Sequence, residues 1–403
     1  MRHELFSAIN QKGQIYSLLG KPREEIIRLR QGIFFCPACK QKVQLKIGEI
    51  NHPHFSHIQH HRCPFEWEPE SKQHITGKFL MQTFFQQLGW NANLEVYLKS
   101  ISQKPDLLIA KGSKQIAVEY QCSPLPLFRL QERVGGYRRF GIEQKWFFDS
   151  SLIQSQSSFN TIILSEFVIY SLIWNAPYFQ LWTLDLENRS FLLFHHILPF
   201  SQKKIFASQS LYSLLDRQSV KVTSPYEAII RSWKQARIKW LLTPNINKKL
   251  SDQQFYRFLY QQSVHRSLLP PFIGLPHLSL PYIKTPAPIW QAYVCLELYQ
   301  LLKNQTAVPK NQLIDMMKKR VHTGEIELRD FLFTTPSLEI PVQEYLQLLT
   351  DLHVFSEKEN HILVGKGAES VINNSSTQDQ SIRNVHSFYR NHMSHLLQII
   401  SQH

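Results

Sequence analysis

KPDLLIAKGSKQIAVEYQ, residues 104–121, reads as a β-hairpin whose polar ends need a reason. Residues 106–110 are apolar after an acid, Lys111-Gly112-Ser113-Lys114 is turn chemistry, and residues 115–120 return as a second apolar strand. Side chains alternate across a strand, so Glu119 and Gln121 share one face and Tyr120 takes the other. A short hairpin sets the start of one strand beside the end of its partner, which brings Asp106 near Glu119 and Gln121. Two carboxylates and an amide oxygen there make a hard-oxygen site suited to magnesium or manganese. A metal held there would lower the pKa of a water and stabilise charge on a phosphodiester.

Around the hairpin the pattern is α, three strands, α, strand. Helical periodicity covers residues 70–88, with His74, Lys78, Met81, Phe84, Phe85 and Leu88 at three- and four-residue steps. Strands are expected near 94–99, 106–110, 115–120 and 145–148, and a helix over 126–140. This is a mixed α/β core. A helix over 162–173 and a hairpin of 179–184 with 190–195 should follow.

In front of this core the chain is crowded with Cys and His. Cys36-Pro37-Ala38-Cys39 places two thiols on a tight turn, and His54-Phe55-Ser56-His57 offers a second pair at the same separation. Cys36, Cys39, His54 and His57 would complete a closed tetrahedral zinc site, which is structural in character. His52, His60, His61 and Cys63 are alternates for the second pair. Five Cys in 403 residues do not make a disulfide framework.

After residue 205 long amphipathic segments dominate, split by the Pro-rich LPPFIGLPHLSLPYIKTPAPIW. Three expected helices followed by a hairpin give a winged-helix-like order, although no residue-level signature marks it as more than a helical domain with a β cap. The tail beyond residue 381 carries Arg383 and Arg390 without acids.

Lys and Arg number 45 against 31 Asp and Glu, a formal charge of +14, which favours a polyanionic partner. The opening MRHELFSAINQKGQIYSLL lacks a signal-peptide apolar core, and no apolar run approaches the ~20 residues of a membrane span. A soluble, intracellular protein is expected.

Pro105-Asp106 followed by Glu119-Tyr120-Gln121 resembles the PD-(D/E)xK nuclease motif, with Gln where that pattern has Lys. Together with the Cys/His module, Glu70-Ser71-x-x-His74-x-x-x-Lys78, Arg133-x-x-x-Tyr137 and Trp146, it resembles the competence protein CoiA family. The specific motifs cover the first half of the chain; the second half matches in length and helical character. The resemblance implies a restriction-endonuclease-like mixed-sheet core, a small N-terminal zinc-finger-like β module and a mostly helical C-terminal domain. The corresponding boundaries are 1–63, 64–204 and 205–403. It implies a cytoplasmic protein that binds and processes incoming DNA, expected to be single-stranded, in natural transformation, alongside a recombinase or other competence proteins.

By that resemblance Asp106 and Glu119 hold magnesium or manganese, Glu70 is the added helix acid, and Gln121 stands at the lysine position. Lysine there stabilises transition-state charge, which an uncharged Gln cannot do. Lys78, four residues from His74 on the helix face that also carries Glu70, is the expected substitute. His74, Arg133 and Tyr137 are the expected nucleic-acid contacts. The rival is an inactive nuclease fold serving as a DNA-binding scaffold or adaptor.

Overall fold

The computed structural model describes residues 5–18, 21–37, 39–49, 52–58, 63, 71–155, 160–202, 204–214, 226–243, 250–364 and 377–401. The chain divides into two compact units. The first holds Met1–Leu152, Trp182–Leu192 and Tyr212–Ser219; the second holds Ile153–Leu181, Leu193–Leu211 and Val220–His403.

The chain opens with β1 (Ser7–Asn10), β2 (Ile15–Ser17), helix α1 (Arg23–Arg28), β3 (Phe34–Phe35), β4 (Lys42–Lys46) and β5 (His54–His57), which form one sheet in the order β2-β1-β3-β4-β5. Pro22 precedes α1 with Glu24 and Glu25 in its first turn, a favourable start for a short helix. Leu5, Ala8, Phe34, Val43 and Phe55 make the small core of this module. Phe6 packs elsewhere, with Ile75, Met81 and Tyr120.

Helix α2 (Lys72–Gln87) starts at Ser71, whose side chain accepts a hydrogen bond from the His74 N–H. Strands β6 (Asn91–Leu94), β7 (Leu107–Lys111) and β8 (Lys114–Gln121) follow, then α3 (Leu127–Arg139) and β9 (Glu143–Asp149). β6, β7 and β8 are antiparallel neighbours, and β8 pairs with β9 in parallel across the α3 crossover. The first strand lies earlier than the expected 94–99. Glu95 adopts a left-handed φ of 54° that ends it, and Leu98 then bridges to Gln103.

Next come β10 (Gln154–Ser155), β11 (Thr161–Ile163), α4 (Glu166–Tyr170), β12 (Ile173–Asn175), β13 (Tyr178–Asp185), β14 (Ser190–Pro199) and β15 (Lys204–Ser213). Among the described residues they belong, with β6–β9, to a mixed sheet of ten strands. The helix expected over 162–173 is shorter, because Ser165 caps α4 and the β-branched Thr161–Ile163 pairs with β15 instead.

The second unit continues as α5 (Tyr226–Leu242), α6 (Leu250–Gln261), α7 (Ala287–Asn304), β16 (Ala307–Pro309), α8 (Lys310–His322), α9 (Glu339–Asp351), β17 (Phe355–Lys358), β18 (His361–Val364), α10 (Gln378–Asn391) and α11 (Met393–Ile400). β16, between α7 and α8, joins the hairpin that follows α9 in a small sheet of order β16-β18-β17. α9, the helix that precedes this hairpin, carries no Lys or Arg. Its Glu344 accepts hydrogen bonds from the backbone N–H groups of Leu278 and Ser279, both at 2.9 Å, so it clamps the Pro-rich segment. That segment is core: Phe272, Ile273, Leu275, Leu278 and Leu280 are all buried. Among the described residues no helix is long and apolar enough to cross a membrane.

Candidate active site and metal centre

The hairpin register pairs Leu107 with Val118, which sets Asp106 level with Glu119 as its sequence position requires. Both carboxylates are buried, at 8% and 1% exposure. Two helices flank β8 and serve opposite faces of it. Tyr120 points toward α2 and Glu119 toward α3.

On the α2 side, His74 Nε2 lies 3.2 Å from Asp106 Oδ2 and 2.8 Å from the Tyr120 carbonyl oxygen. Its ring stacks on Tyr120 at 5.7 Å. The Tyr120 N–H donates to the same Asp106 oxygen at 2.8 Å, and the Tyr120 hydroxyl donates to Asp149. Burial pushes the Asp106 carboxyl up. His74, Lys78 and the Tyr120 N–H outweigh burial and hold it well below the ordinary carboxylate range. Asp106 is therefore ionised throughout the neutral range.

This packing depends on Gly77. A Cβ there would lie 2.0 Å from the Tyr120 ring. Gly77→Ala is expected to cost about 1–3 kcal/mol through overpacking and to displace Tyr120 from His74. Urea denaturation measures it, and unchanged stability would show that α2 and β8 separate freely.

Lys78, one turn beyond His74, is fully buried. Its ammonium lies 2.6 Å from Glu95 Oε1 and 4.0 Å from Asp106 Oδ1. A solvated helix lysine is thus excluded. Glu95 is itself 1% exposed and also meets Lys104 at 3.0 Å. Neither Glu95 nor Lys104 was legible as a site residue. A Glu closing the short strand NANLE carries no signal of its own.

On the α3 side, the Tyr137 hydroxyl donates to Glu119 Oε1, and Arg133 Nη1 lies 3.3 Å from Glu119 Oε2. Arg133 and Tyr137 thus grip the carboxylate rather than standing apart from it. Burial pushes the Glu119 carboxyl up; Arg133 opposes this and the Asp106 charge adds to it, leaving it at about 7. Gln121 is 8% exposed, and its amide donates to the Ser123 carbonyl at 2.6 Å, which fixes its orientation. Glu70 lies outside the described residues.

The second constellation lies in the N-terminal module. Cys36, Cys39, His57 and Cys63 bring four ligand atoms within 4.8 Å of one another. Cys36 Sγ is 4.0 Å from Cys63 Sγ, and Cys39 Sγ is 3.2 Å from His57 Nε2. Tetrahedral zinc with bonds of about 2.3 Å separates its sulfur ligands by about 3.8 Å, so the donor set and spacing fit zinc. The knuckle is built by the backbone: the Lys40 N–H donates to the Cys36 carbonyl at 3.0 Å, with Lys40 at φ 60°.

The converging set differs from the spacing expectation in one ligand. Cys63 takes the place assigned to His54. His54 and His57 are three apart on β5, an odd separation that puts them on opposite faces of the strand. His57 joins the cysteines, while His54 Nδ1 lies 2.9 Å from the His52 carbonyl oxygen. Of the other alternates, His52 is not among the four donors, and His60 and His61 lie outside the described residues.

Both constellations fall in stretches that match known protein domains. Residues 18–66 match the competence protein CoiA N-terminal domain, 70–226 its nuclease-like domain, and 224–379 its C-terminal domain. The chain belongs to the competence protein CoiA family. It is 27% identical over 355 residues to competence protein CoiA of Bacillus subtilis (strain 168), covering 87% of this chain and 94% of that one. No solved structure matches. Asp106 and Glu119 fall in the nuclease-like match. Three of the four Cys/His donors and the fourth, Cys63, all fall in the CoiA N-terminal match.

Proposed function

We propose that the chain binds DNA and hydrolyses phosphodiester bonds with magnesium or manganese held by Asp106 and Glu119, in support of recombination during natural transformation. One observation carries this reading. Two buried carboxylates stand level on neighbouring strands, near enough for the Asp106 charge to push Glu119 up, with the Lys78 ammonium 4.0 Å from Asp106, where the uncharged Gln121 cannot supply a cation. Mutual repulsion of the two acids is what a divalent ion would relieve. The assignment of Glu70 to the same metal and of zinc to Cys36, Cys39, His57 and Cys63 belongs to this proposal, as do the domain limits near residues 63 and 204.

A bound divalent ion would supply a water of lowered pKa and charge stabilisation at the phosphate. The chain's own residues do the rest. His74 holds the Asp106 carboxylate in one orientation from α2, and Tyr137 with Arg133 does the same for Glu119 from α3. Lys78 adds positive charge beside Asp106 where negative charge grows on the phosphate. Water attacks phosphorus and gives up a proton to solvent, the bond to the leaving oxygen breaks, and that oxygen takes a proton back from solvent. The half-exposed Arg133 extends from Glu119 toward solvent, where it would meet the DNA backbone.

The second reading, a non-catalytic DNA-binding scaffold, draws on the same contacts. Both carboxylates already have protein donors, from His74 and Tyr120 on one side and Tyr137 and Arg133 on the other. A metal-free network can be a finished structure.

Metal linkage separates the two. Glu119 has its folded-state value raised from 4.5 to about 7. Its protonated form stabilises the metal-free fold; that contribution is complete below about 4.5 and is lost as pH rises through about 7. A divalent ion binds the ionised pair, so its stabilisation grows over the same window. Adding about 1 mM manganese is expected to raise Tm by about 2 °C more at pH 8 than at pH 6. Equal shifts at both pH values, or a shift that survives Glu119→Gln, would favour the scaffold.

A further inference from the structure

We infer that Glu95 is a positioning residue of the nuclease-like site, holding the Lys78 ammonium at the edge of the Asp106 carboxylate. The inference rests on the proposed hydrolytic reading and extends it to a residue outside the PD-(D/E)xK pattern.

Three features of Glu95 converge. Its backbone sits at φ 54°, a left-handed conformation that a non-glycine residue adopts at a cost. That turn ends β6, and the Glu95 N–H donates to the Asp106 carbonyl at 3.1 Å, so the residue is fastened to the strand start that carries the acid. Its carboxylate then takes Lys78 at 2.6 Å on one oxygen and Lys104 at 3.0 Å on the other. Lys104 stands two residues before Asp106. A single buried acid therefore fixes two cations that flank the site.

A purely structural role explains this less well. Buried ion pairs are seldom better for stability than apolar residues of similar size. Here the pair sits 4.0 Å from Asp106, at a strained turn, with the lysine fully enclosed. Glu95 also draws the N-terminal module into the arrangement, since Ser7 Oγ on β1 donates to it at 3.4 Å. The cation that replaces the missing motif lysine is thus held by a residue that the Cys/His module helps to seat.

The test is a double-mutant cycle on single-turnover cleavage of DNA with manganese, using the full chain, Glu95→Gln, Lys78→Met and the double variant. If Glu95 acts through Lys78, Glu95→Gln lowers the cleavage rate by about 10–100-fold with the Kd for DNA unchanged. In the Lys78→Met background it then causes no further loss. Lys78→Met leaves Glu95 paired with Lys104, so that background is expected to fold. Should Glu95→Gln fail to fold, Lys78→Met/Glu95→Met leaves neither member of the pair charged; it should cleave as Lys78→Met does. An active wild type with a full-rate Glu95→Gln, or with losses that multiply in the double variant, overturns the positioning role alone. A wild type with no metal-dependent cleavage overturns the hydrolytic reading and this inference with it.

Discussion

Cys36→Ser is expected to abolish zinc binding by the N-terminal module and to unfold it. Structural zinc supplies about 10–16 kcal/mol of apparent binding energy to small modules, which is their folding energy. The module needs that help. Its apolar core is a small cluster around Leu5, Ala8, Phe34, Val43 and Phe55, and β3 has only two residues. Cys36 is itself fully buried, and a serine hydroxyl in its place is a poor zinc ligand beside the other three donors. Metal analysis should show about one equivalent of zinc in the wild type and far less in Cys36→Ser. The damage should spread, because Phe6 packs with the nuclease-like core and Ser7 reaches Glu95. Zinc content unchanged by Cys36→Ser, or His54→Ala costing as much zinc as Cys63→Ser, would contradict the assigned ligands.

Asp106→Asn carries the largest effect on chemistry. The amide keeps the size of the carboxylate and can still accept the Tyr120 N–H. It loses the charge that attracts a divalent ion and that His74 and Lys78 surround. Cleavage should fall by about 10²–10³-fold or more, the scale seen when a group acting on transition-state charge is removed. DNA affinity should not fall, since a negative charge near phosphate has been removed. Stability should drop somewhat, because His74 and Lys78 lose an ionised partner in a buried setting. Loss of DNA binding together with cleavage would mean that Asp106 shapes the fold rather than the reaction.

The hairpin at the centre of the site was legible because its information is local. Turn residues, alternation and strand length placed Asp106 beside Glu119 before any tertiary contact was known, and the register bears this out. The flanking helices were legible from periodicity, down to the face that carries His74 and Lys78. Depth was not legible. Nothing in KQHITGKFL says that Lys78 is enclosed, because enclosure depends on Glu95 arriving from another strand. Strand geometry also decides between His54 and His57, and the spacing of two pairs at equal separation concealed it. Over 162–173 the largely apolar run suggested one helix. The Ser165 cap and pairing with β15 divided it. In the second half the expected winged-helix-like order comes without a basic reading helix, since α9 is acidic and clamps the Pro-rich segment.

Hydrolysis of DNA would require Asp106 and Glu119 to hold a divalent ion. Single-turnover cleavage of end-labelled single- and double-stranded DNA by the purified full chain tests it most directly, with manganese, with chelator, and with Asp106→Asn. The wild type should cleave in a metal-dependent way that chelator abolishes and Asp106→Asn lacks. Intact DNA under every metal condition, or cleavage that Asp106→Asn retains in full, would contradict it.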